Sequence, residues 1–453
     1  MADGGSVDGK GIGARVLRKE DARHLAGKGK FTSDFKRPGQ KDMAFVRAPV
    51  GHGRITSITK PAGFEDAVFT ADDLSNLKPM RAPSKLPGYK ASDYPSLAIG
   101  KVRFAGEPVA VCVADTRAEA EDIAQLVEVE YEVLPAVTDM LAAKAADAPL
   151  IHEEWDNNVV FETFSDDDFS KIADEATVVI KREYRMNRQV MNPMECKAVF
   201  AEWDDRQDQL IMWTSTQVPH LIRTGLAEFL NLEQRQVRVI APDVGGGFGC
   251  KALLQPEELI AGWLTRKLEC PIRWIEDRRE HLVTGANCRE HHYLVTLHAT
   301  PDGRMLGLDC DVTVDAGAYS VYPFTNGLEG AMAHGNLPGP YDFKFYKCRT
   351  QTMVTNKPGL MPYRGVARPG VCYAVEMTID ALAREIGMEA HEIRIKNMVP
   401  EEKMPFMSIA KKHFDSGNYA KSVQIAADMI GLTEIRAEQD EPDWDGRLTG
   451  VGM

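Results

Sequence analysis

The segment APDVGGGFGCKALLQPEELIAGWL (residues 241–264) places four glycines, at 245, 246, 247 and 249, between an apolar β run and a helical run. Glycine lets the backbone adopt positive φ and approach a ligand closely. The N-terminus of a following helix can offer unpaired N–H groups to an anion. The spacing is neither the GxGxxG dinucleotide fingerprint nor a Walker loop. A structural glycine turn and a cofactor loop both fit the segment, and each requires a strand, a tight loop and a helix in succession.

The N-terminal part of the chain predicts a small α/β unit. The runs AFVRAPVGHGRITSI (44–58) and VRFAGEPVAVCVAD (102–115) alternate apolar with polar residues, as strands do. Thr116 is a candidate N-cap for the helical run that follows, and a further β-rich run closes at Pro135. Strand, helix and strand in this order predict an α/β domain over residues 25–138, preceded by an N-terminal arm over residues 1–24.

The remainder, residues 139–453, is predicted to form one larger domain. We interpret IHEEWDNNVVFETF (151–164) as a surface connection leading into it. Beyond that point, β runs such as HHYLVTLHAT (291–300) alternate irregularly with helical runs such as YAVEMTIDALAREIG (373–387). This order fits neither a Rossmann nor a (β/α)₈ pattern, and it favours a mixed α+β class.

Charge and apolar patterning exclude two classes of partner. The formal net charge of −13 leaves no basic surplus to neutralise the phosphates of a nucleic acid. No run approaches the roughly 18–20 apolar residues of a transmembrane helix. The N-terminus also has no apolar region of the secretory type, so a cytoplasmic location is the expectation. None of the eight cysteines lies within three residues of another, which predicts buried, reduced thiols rather than a zinc or iron–sulfur site.

Two further segments carry polar side chains on constrained backbone. In LIMWTSTQVPHLIRTGL (210–226) a strand is expected to end at Gln217 and a helix to begin after Pro219, and a neutral amide there can hydrogen-bond a ligand without adding charge. In NKPGLMPYRGVARPG (356–370) prolines and glycines hold an irregular loop that carries Arg364 and Arg368. A guanidinium offers a fixed fork of donors to an oxyanion. Taken singly, Gln217 is more simply an ordinary polar residue at the end of a strand, and the loop arginines are more simply surface residues.

Together and in this order, the segments resemble the molybdenum hydroxylase family of xanthine dehydrogenase, aldehyde oxidoreductase and aerobic carbon monoxide dehydrogenase. The likeness begins at RKEDARHLAGKGKFTSDF (18–35) and continues through NPMECKAVFAEWD (192–204), VGGGFGCK (244–251) and PYRGVARPG (362–370). It implies an α+β fold in which an α/β hammerhead domain precedes the first molybdopterin-binding domain of the xanthine oxidase family.

The resemblance also implies roles for individual residues. Gln217 is similar to the glutamine that hydrogen-bonds an oxo ligand of molybdenum, and Arg364 to the arginine that faces the open side of the metal. The loop positions that lie beside the metal and the pyranopterin correspond to Gly246, Gly247, Phe248 and Gly249. Members of the family hold molybdenum through the pterin dithiolene, so no direct protein ligand is expected, and Cys250 is interpreted as a buried spectator thiol.

Three departures from relatives narrow the implied chemistry. Gly365 stands where carbon monoxide dehydrogenase has the cysteine that binds copper, so a copper site of that kind has no anchor here. Ala252 stands in the substrate pocket where purine hydroxylases have an acidic residue. Val366 replaces the aromatic residue that sandwiches a purine there. These two changes remove a carboxylate and a stacking ring, which argues against xanthine as the substrate.

The resemblance places part of the site outside these 453 residues. Full-size members continue past a segment similar to DGRLTGVGM (445–453) into a second molybdenum domain, which carries further pterin contacts and a glutamate that acts as general base. Nicotinate dehydrogenase-like members divide the subunit between two polypeptides, and this chain resembles the larger one; a truncation is the alternative. We therefore expect a second molybdenum-domain chain with the catalytic glutamate, a [2Fe–2S] small subunit and an FAD medium subunit. The molybdopterin cofactor, for which a cytosine dinucleotide form is compatible, would be shared with the partner chain.

The implied function is that of a molybdenum-dependent hydroxylase subunit, active only with its partner chains. It would insert a water-derived oxygen at an electron-poor carbon of an N-heteroaromatic such as a pyridine carboxylate. The alternatives are an aldehyde dehydrogenase of the same family and a catalytically inactive scaffold subunit. A flavin- or nicotinamide-binding enzyme would need a dinucleotide fingerprint, which the sequence lacks. His291 and His292 are adjacent in a predicted strand, point to opposite faces and make a poor chelating pair.

Overall fold

The structure is a computed structural model that describes residue 14 and residues 16–74, 76–285, 287–440 and 449–452. Residues 1–13 of the predicted arm lie outside these ranges. So does about half of the segment 445–453 that resembles the family's continuation.

Strands supply the framework of the described chain. In chain order they are β1 (Lys41–Arg47), β2 (Gly53–Thr59), β3 (Val68–Thr70), β4 (Lys101–Val102), β5 (Pro108–Ala114), β6 (Glu128–Val133), β7 (Val159–Asp166), β8 (Val178–Met186), β9 (Gln189–Val190), β10 (Ala198–Asp204), β11 (Gln209–Thr214), β12 (Val237–Ile240), β13 (Ile272–Ile275), β14 (Asn287–Cys288), β15 (Glu290–Ala299), β16 (Met305–Asp315), β17 (Phe345–Met353), β18 (Phe406–Met407) and β19 (His413–Phe414).

Helices pack against these strands. They are α1 (Asp21–Leu25), α2 (Arg117–Leu126), α3 (Pro219–Phe229), α4 (Pro256–Lys267), α5 (Arg278–Thr284), α6 (Leu328–Asn336), α7 (Arg368–Ile386), α8 (Ala390–Asn397), α9 (Tyr419–Ile430) and α10 (Leu432–Asp440).

Two mixed sheets organise the molecule. The seven-stranded sheet has the order β12-β11-β10-β13-β1-β5-β3, and the five-stranded sheet has the order β7-β17-β16-β15-β8. Helices α3 and α4 pack against the first sheet, and α6 and α7 pack against the second. The buried apolar side chains form two large clusters. One lies mainly between the seven-stranded sheet and its helices, and the other mainly between the five-stranded sheet and its helices. Sheets with both parallel and antiparallel pairs, covered by helices, confirm the predicted α+β class.

Local signals explain where several helices begin and end. Thr116 caps α2 as predicted, because its Oγ1 accepts a hydrogen bond from the Glu119 amide while the Glu119 carboxylate accepts one from the Thr116 amide. Helix α4 begins with Pro256, whose missing N–H is not needed in a first turn. Helix α7 ends at Gly387, which adopts the left-handed conformation at φ +67°.

The N-terminal unit shares the seven-stranded sheet with the rest of the chain. Strand β1 pairs antiparallel with β5 inside the predicted unit and parallel with β13 beyond residue 138. A two-bond ion pair reinforces the parallel pairing, since Arg273 donates to both carboxylate oxygens of Asp42, at 2.7 and 3.0 Å. The domain boundary at 138/139 stays a prediction, and one continuous sheet crosses it.

The interpretation of residues 151–164 as a surface connection holds only for the largely exposed loop 153–157 and is wrong for the rest. Ile151 is fully buried and His152 is 3% exposed, and residues 159–166 form the edge strand β7. The acidic composition suggested exposure, but within β7 the adjacent Val160 and Phe161 are buried, and only Phe164 among the aromatic residues of the strand is exposed. Burial also lowers the pKa of His152 to about 4, and its Nε2 donates to the Ala318 carbonyl at 2.8 Å.

No helix in the described part of the chain combines the length and the apolar composition needed to span a bilayer.

Candidate functional site

The glycine-rich loop runs from the end of β12 at Ile240 to the start of α4 at Pro256. Gly246 and Gly249 adopt φ values of +100° and +112°, which side chains strongly disfavour. Phe248 between them also has a positive φ of +53°, and its ring is 45% exposed. A strained non-glycine residue with an exposed apolar ring needs surroundings that hold it in place.

The N-terminus of α4 does not serve as the anion site that the loop suggested. The helix begins several residues after Gly249, and its first turn is buried. Glu258 is fully buried and accepts a hydrogen bond from the Gln255 amide at 2.9 Å, so the helix caps itself. The glycine loop rather than the helix is therefore the exposed feature.

Gln217 lies against the glycine loop. Strand β11 ends at Thr214, three residues earlier than predicted, and Gln217 then donates its amide N–H to the Lys251 carbonyl at 2.9 Å. Its side-chain Oε1 accepts from the Gly249 amide at 2.9 Å. With the oxygen occupied, the NH₂ group is the donor that the exposed side chain can offer to a ligand. A Cβ on Gly247 would lie 2.5 Å from this amide, so only glycine permits the approach.

The loop that carries Arg364 meets the glycine loop from the other side. The Arg364 amide donates to the Phe248 carbonyl at 2.8 Å. A Cβ on Gly249 would collide with the carbonyl of Pro362. Arg364 itself is exposed, and its guanidinium makes no hydrogen bond or ion pair to the residues that the structure describes. Three segments separated in sequence therefore converge at one edge, as their common resemblance implied.

Arg289 holds the Arg364 loop in place, and the sequence analysis missed it. Its buried guanidinium donates to the carbonyls of Val366 (3.0 Å), Tyr363 (3.2 Å) and Arg364. It also lies over the Tyr363 ring, 4.2 Å from the centroid. Because three backbone carbonyls of the loop accept hydrogen bonds from the Arg289 guanidinium, this side chain fixes the path of the loop. No sequence motif indicated this, because the contacts are to backbone atoms.

Glu195 and Lys251 support the glycine loop from beneath and were also missed. The Glu195 carboxylate accepts from the Gly245 amide and from the Lys251 ammonium, both at 2.7 Å. Lys251 is 1% exposed, and this burial lowers the pKa of its ammonium group. The other oxygen of Glu195 is buried without a hydrogen-bond partner in the described part of the chain. The available signal was that Glu195 and Lys251 lie within the two segments, 192–204 and 244–251, that carry the family resemblance.

The predicted pocket residues lie on the same two loops. Ala252 is buried, and its amide donates to the Gly249 carbonyl at 2.9 Å. Val366 has a positive φ of +54°, which is costly for a β-branched residue. Cys250 is a buried thiol, as predicted: its Sγ points to the Gly247 carbonyl at 3.0 Å, and burial raises its pKa to about 11.

The residues present fit a pterin-held metal. Glycines shape the backbone that the two loops present at this edge. An added Cβ would collide with the Gln217 side chain at Gly247 and with the Pro362 carbonyl at Gly249. The polar groups at the edge, the Gln217 amide and the Arg364 guanidinium, are donors rather than metal ligands. The nearest thiol, Cys250, is turned away and protonated. This set suits a large anionic cofactor that brings its own metal ligands.

Comparison with known proteins defines the class. Residues 26–135 match the family described as "Aldehyde oxidase and xanthine dehydrogenase, a/b hammerhead domain", and residues 151–398 match the "Molybdopterin cofactor-binding domain". The fold is therefore that of a hammerhead domain followed by a molybdopterin-binding domain. The chain belongs to the molybdenum hydroxylase family of xanthine dehydrogenase and aldehyde oxidoreductase.

Individual relatives agree with this assignment. The chain is 33% identical over 448 residues to a nicotine 6-hydroxylase large subunit from Paenarthrobacter nicotinovorans, which covers 98% of this chain and 55% of the relative. It is 34% identical over 466 residues to a carbon monoxide dehydrogenase large chain from Hydrogenophaga pseudoflava, covering 98% and 57%. The crystal structure of quinoline 2-oxidoreductase from Pseudomonas putida 86 superimposes with a TM-score of 0.90 at 35% identity, covering 94% and 55%.

The chain thus spans about half the length of these relatives. A nicotinate dehydrogenase large molybdopterin subunit from Eubacterium barkeri is different, since the match covers 85% of this chain and 89% of that one at 28% identity.

Proposed function

We propose that this chain forms one side of the molybdenum-cofactor site in a multi-subunit hydroxylase that acts on an N-heteroaromatic compound. The observation that carries the proposal is the junction of three distant segments. Gly249 donates to Gln217 and Arg364 donates to the Phe248 carbonyl, at 2.9 and 2.8 Å. These bonds bring an amide donor, a glycine-shaped surface and a guanidinium that has no partner among the described residues to one exposed edge.

Each group has a distinct task in this proposal. Gly246, Gly247 and Gly249 would let the loop present its backbone to the pterin, and the NH₂ group of Gln217 would donate a hydrogen bond to the cofactor. Arg364 faces the substrate and stabilises negative charge that develops in the transition state. When bound, the molybdenum cofactor supplies the two-electron redox chemistry by which a water-derived oxygen is inserted at an electron-poor carbon.

The substrate class is inferred from relatives and from the loop geometry. Two similar proteins are named for nicotine and quinoline, which are N-heteroaromatics. A carbon monoxide dehydrogenase large chain is equally similar in sequence. However, Gly365 stands where the resemblance implies the copper-binding cysteine of that enzyme, so it argues against a copper site here. Gly365 has φ +94°, and a Cβ there would lie 2.9 Å from Pro369. Ala252 and Val366 supply neither a carboxylate nor a stacking ring at these two positions, which argues against a substrate held as xanthine is.

The remaining parts of the enzyme belong to the proposal as well. We assign the general-base glutamate and the other pterin contacts to a second molybdenum domain, on a partner chain as in the resemblance to nicotinate dehydrogenase. The [2Fe–2S] clusters are assigned to a further subunit, because every cysteine in this chain is unpaired and none clusters with three others in the described residues. FAD is assigned to another subunit, as the family resemblance implies. Free thiols support a reducing, cytoplasmic location.

The test is molybdenum and iron analysis of the complex that co-purifies from its native host with a tagged form of this chain. We expect near-stoichiometric molybdenum, iron–sulfur absorbance, and oxidation of pyridine or quinoline compounds with an artificial electron acceptor. Gly247→Ala should lose most of the molybdenum, because its Cβ would displace Gln217. Gly51→Ala is the matched control, since a Cβ there meets nothing within 4 Å.

A wild-type complex without molybdenum would overturn the proposal and favour the inactive scaffold. Full molybdenum occupancy in Gly247→Ala would overturn the assigned role of the glycine loop. Turnover of aldehydes but of no N-heteroaromatic would overturn only the substrate class.

A further inference from the structure

Cys196, Glu276 and His281 form a second cluster of ligand-type side chains. One atom of each lies within 4.8 Å of the other two, and it is the one such group of three found in the described residues. Cys196 precedes β10 and Glu276 follows β13, two strands that pair antiparallel with Ala198 opposite Ile275. The two side chains therefore emerge at one end of the pair, and His281 approaches from α5. None of the three takes part in the proposed cofactor site.

We propose that these three side chains bind a thiophilic divalent cation, with zinc as the ion of choice. A thiolate, an imidazole and a carboxylate are the ligand types that zinc takes in proteins, usually in a tetrahedral arrangement. Glu276 and His281 are 5% and 3% exposed, whereas Cys196 is partly exposed. Cys196 is the partly exposed member, so an ion would enter from its side.

The hydrogen bonds around the cluster are those of a prepared metal site. His281 Nε2 lies 2.7 Å from the Met191 carbonyl, which can only accept, so Nε2 carries a proton. This bond orients the ring with Nδ1 towards Glu276. The Glu276 carboxylate is oriented in turn by the Lys197 amide, at 2.8 Å. Metal-binding histidines and carboxylates are regularly fixed by such outer contacts to backbone groups.

Without an ion the cluster satisfies itself. His281 Nδ1 then donates to Glu276 at 2.9 Å. Binding of a cation releases two protons to solvent, one from His281 Nδ1 and one from the Cys196 thiol, and replaces this hydrogen bond with bonds to the metal. The cationic side chains nearby already have partners that hold them. Arg278 donates to the Asn192 side chain and to the Pro193 carbonyl, and the Lys197 ammonium lies 2.9 Å from Glu258. They therefore do not occupy the position of the ion.

An ion at this site would tie three segments together beneath the glycine loop. Cys196 directly follows Glu195, which binds Gly245, and Met191 belongs to the same stretch of chain. A cation would fix residues 191–196 to β13 and α5. Since a ligand that binds only the folded state stabilises it, zinc should raise the unfolding temperature of this region.

The experiment is a cobalt(II) titration of the full chain, in whatever complex it is purified, after treatment with a chelator and desalting. We expect one saturable equivalent with thiolate-to-cobalt charge-transfer absorbance, and displacement of the cobalt by one equivalent of zinc. Cys196→Ser should abolish the charge-transfer band, and His281→Gln should weaken binding by roughly 10–100-fold. Cys372→Ser, at an exposed thiol on α7, is the control and should behave as wild type.

Thermal unfolding in the presence of chelator establishes whether each variant folds. If His281→Gln does not fold, the near-isosteric Cys196→Ser decides the test. Absence of a saturable cobalt band in the wild-type protein, or an unchanged band in folded Cys196→Ser, would overturn the proposal. Molybdenum content does not enter this test, so its outcome is independent of the proposed function.

Discussion

At the scale of single residues, the position of Arg364 depends on Arg289. The Arg364 guanidinium has no partner in the described chain, whereas the buried Arg289 guanidinium binds three carbonyls of the Arg364 loop. Arg289 also has φ +53° and Val366 has φ +54°, so two strained residues meet at this contact. Strain at a site persists only when neighbouring contacts fix it. The guanidinium fork supplies those contacts.

Arg289→Lys should therefore loosen the loop. An ammonium group can reach at most one or two of the carbonyls, and loss of charged hydrogen bonds should lower the free energy of unfolding by about 2–3 kcal/mol. Amide hydrogen exchange should accelerate at residues 363–368 and stay unchanged in α4. The control is Arg223→Lys, at a partly exposed arginine that binds the Gln234 carbonyl, and it should show neither effect. Unchanged exchange in the loop would contradict the role given to Arg289.

At the scale of secondary-structure elements, the parallel pair of β1 and β13 joins the N-terminal unit to the rest. Asp42 and Arg273 form a largely buried ion pair across it, with side chains 7% and 14% exposed. Asp42→Ala leaves the arginine charge buried without a partner, which should cost about 3–5 kcal/mol of unfolding free energy in urea denaturation. Asp115→Ala removes an exposed partner of Lys41 on the same sheet and should change stability little. Equal effects of the two variants would show that the β1–β13 junction is not a major tie.

Elements with local signals could be predicted, and those defined by distant partners could not. Helix α2 was predicted from Thr116 and an apolar face, and the capping box confirms it. Strand β7 was missed because it pairs with β17, about 190 residues further on. The end of β11 was placed at Gln217 because polar Ser215 and Thr216 gave no stop signal, whereas in the fold Gln217 N–H has already turned to the Lys251 carbonyl.

The residues of the candidate site likewise divide into those that the sequence could identify and those that only the fold reveals. Gln217, the glycine loop and Arg364 could be selected because a family resemblance linked them, and the fold brings them together. Their roles stay predictions. Arg289 and Glu195 could not be selected, since they act on backbone atoms and any chain can supply a carbonyl or an amide. Sequence identifies groups that present chemistry outwards more readily than groups that hold a loop from within.

At the scale of the whole molecule, a buried carboxylic acid lies where the N-terminal unit packs on the large domain. Glu107 is fully buried, accepts from the Arg103 amide at 2.5 Å, and accepts from the Tyr319 hydroxyl at 3.0 Å. Tyr319 stacks on Tyr94, so the contact joins both units. Burial raises the pKa of Glu107 to about 7 from an ordinary 4.5, against the opposing effect of these hydrogen bonds and of Arg103.

This displacement of the pKa makes the packing of the two units depend on pH. The folded state holds the Glu107 proton more tightly than the unfolded chain, so its contribution is complete below pH 4.5 and is lost as pH rises through about 7. The loss is on the order of 3 kcal/mol of unfolding free energy. Glu107→Gln keeps a neutral hydrogen-bonding group, so the variant should lack this component. Urea unfolding between pH 5 and 8 should show that the unfolding free energy of the wild type falls relative to that of Glu107→Gln. Groups that titrate in both proteins contribute equally to the two pH curves, so their effect cancels in the difference. Parallel curves would mean that Glu107 stays in one protonation state throughout, held by its contacts with Arg103 and Tyr319.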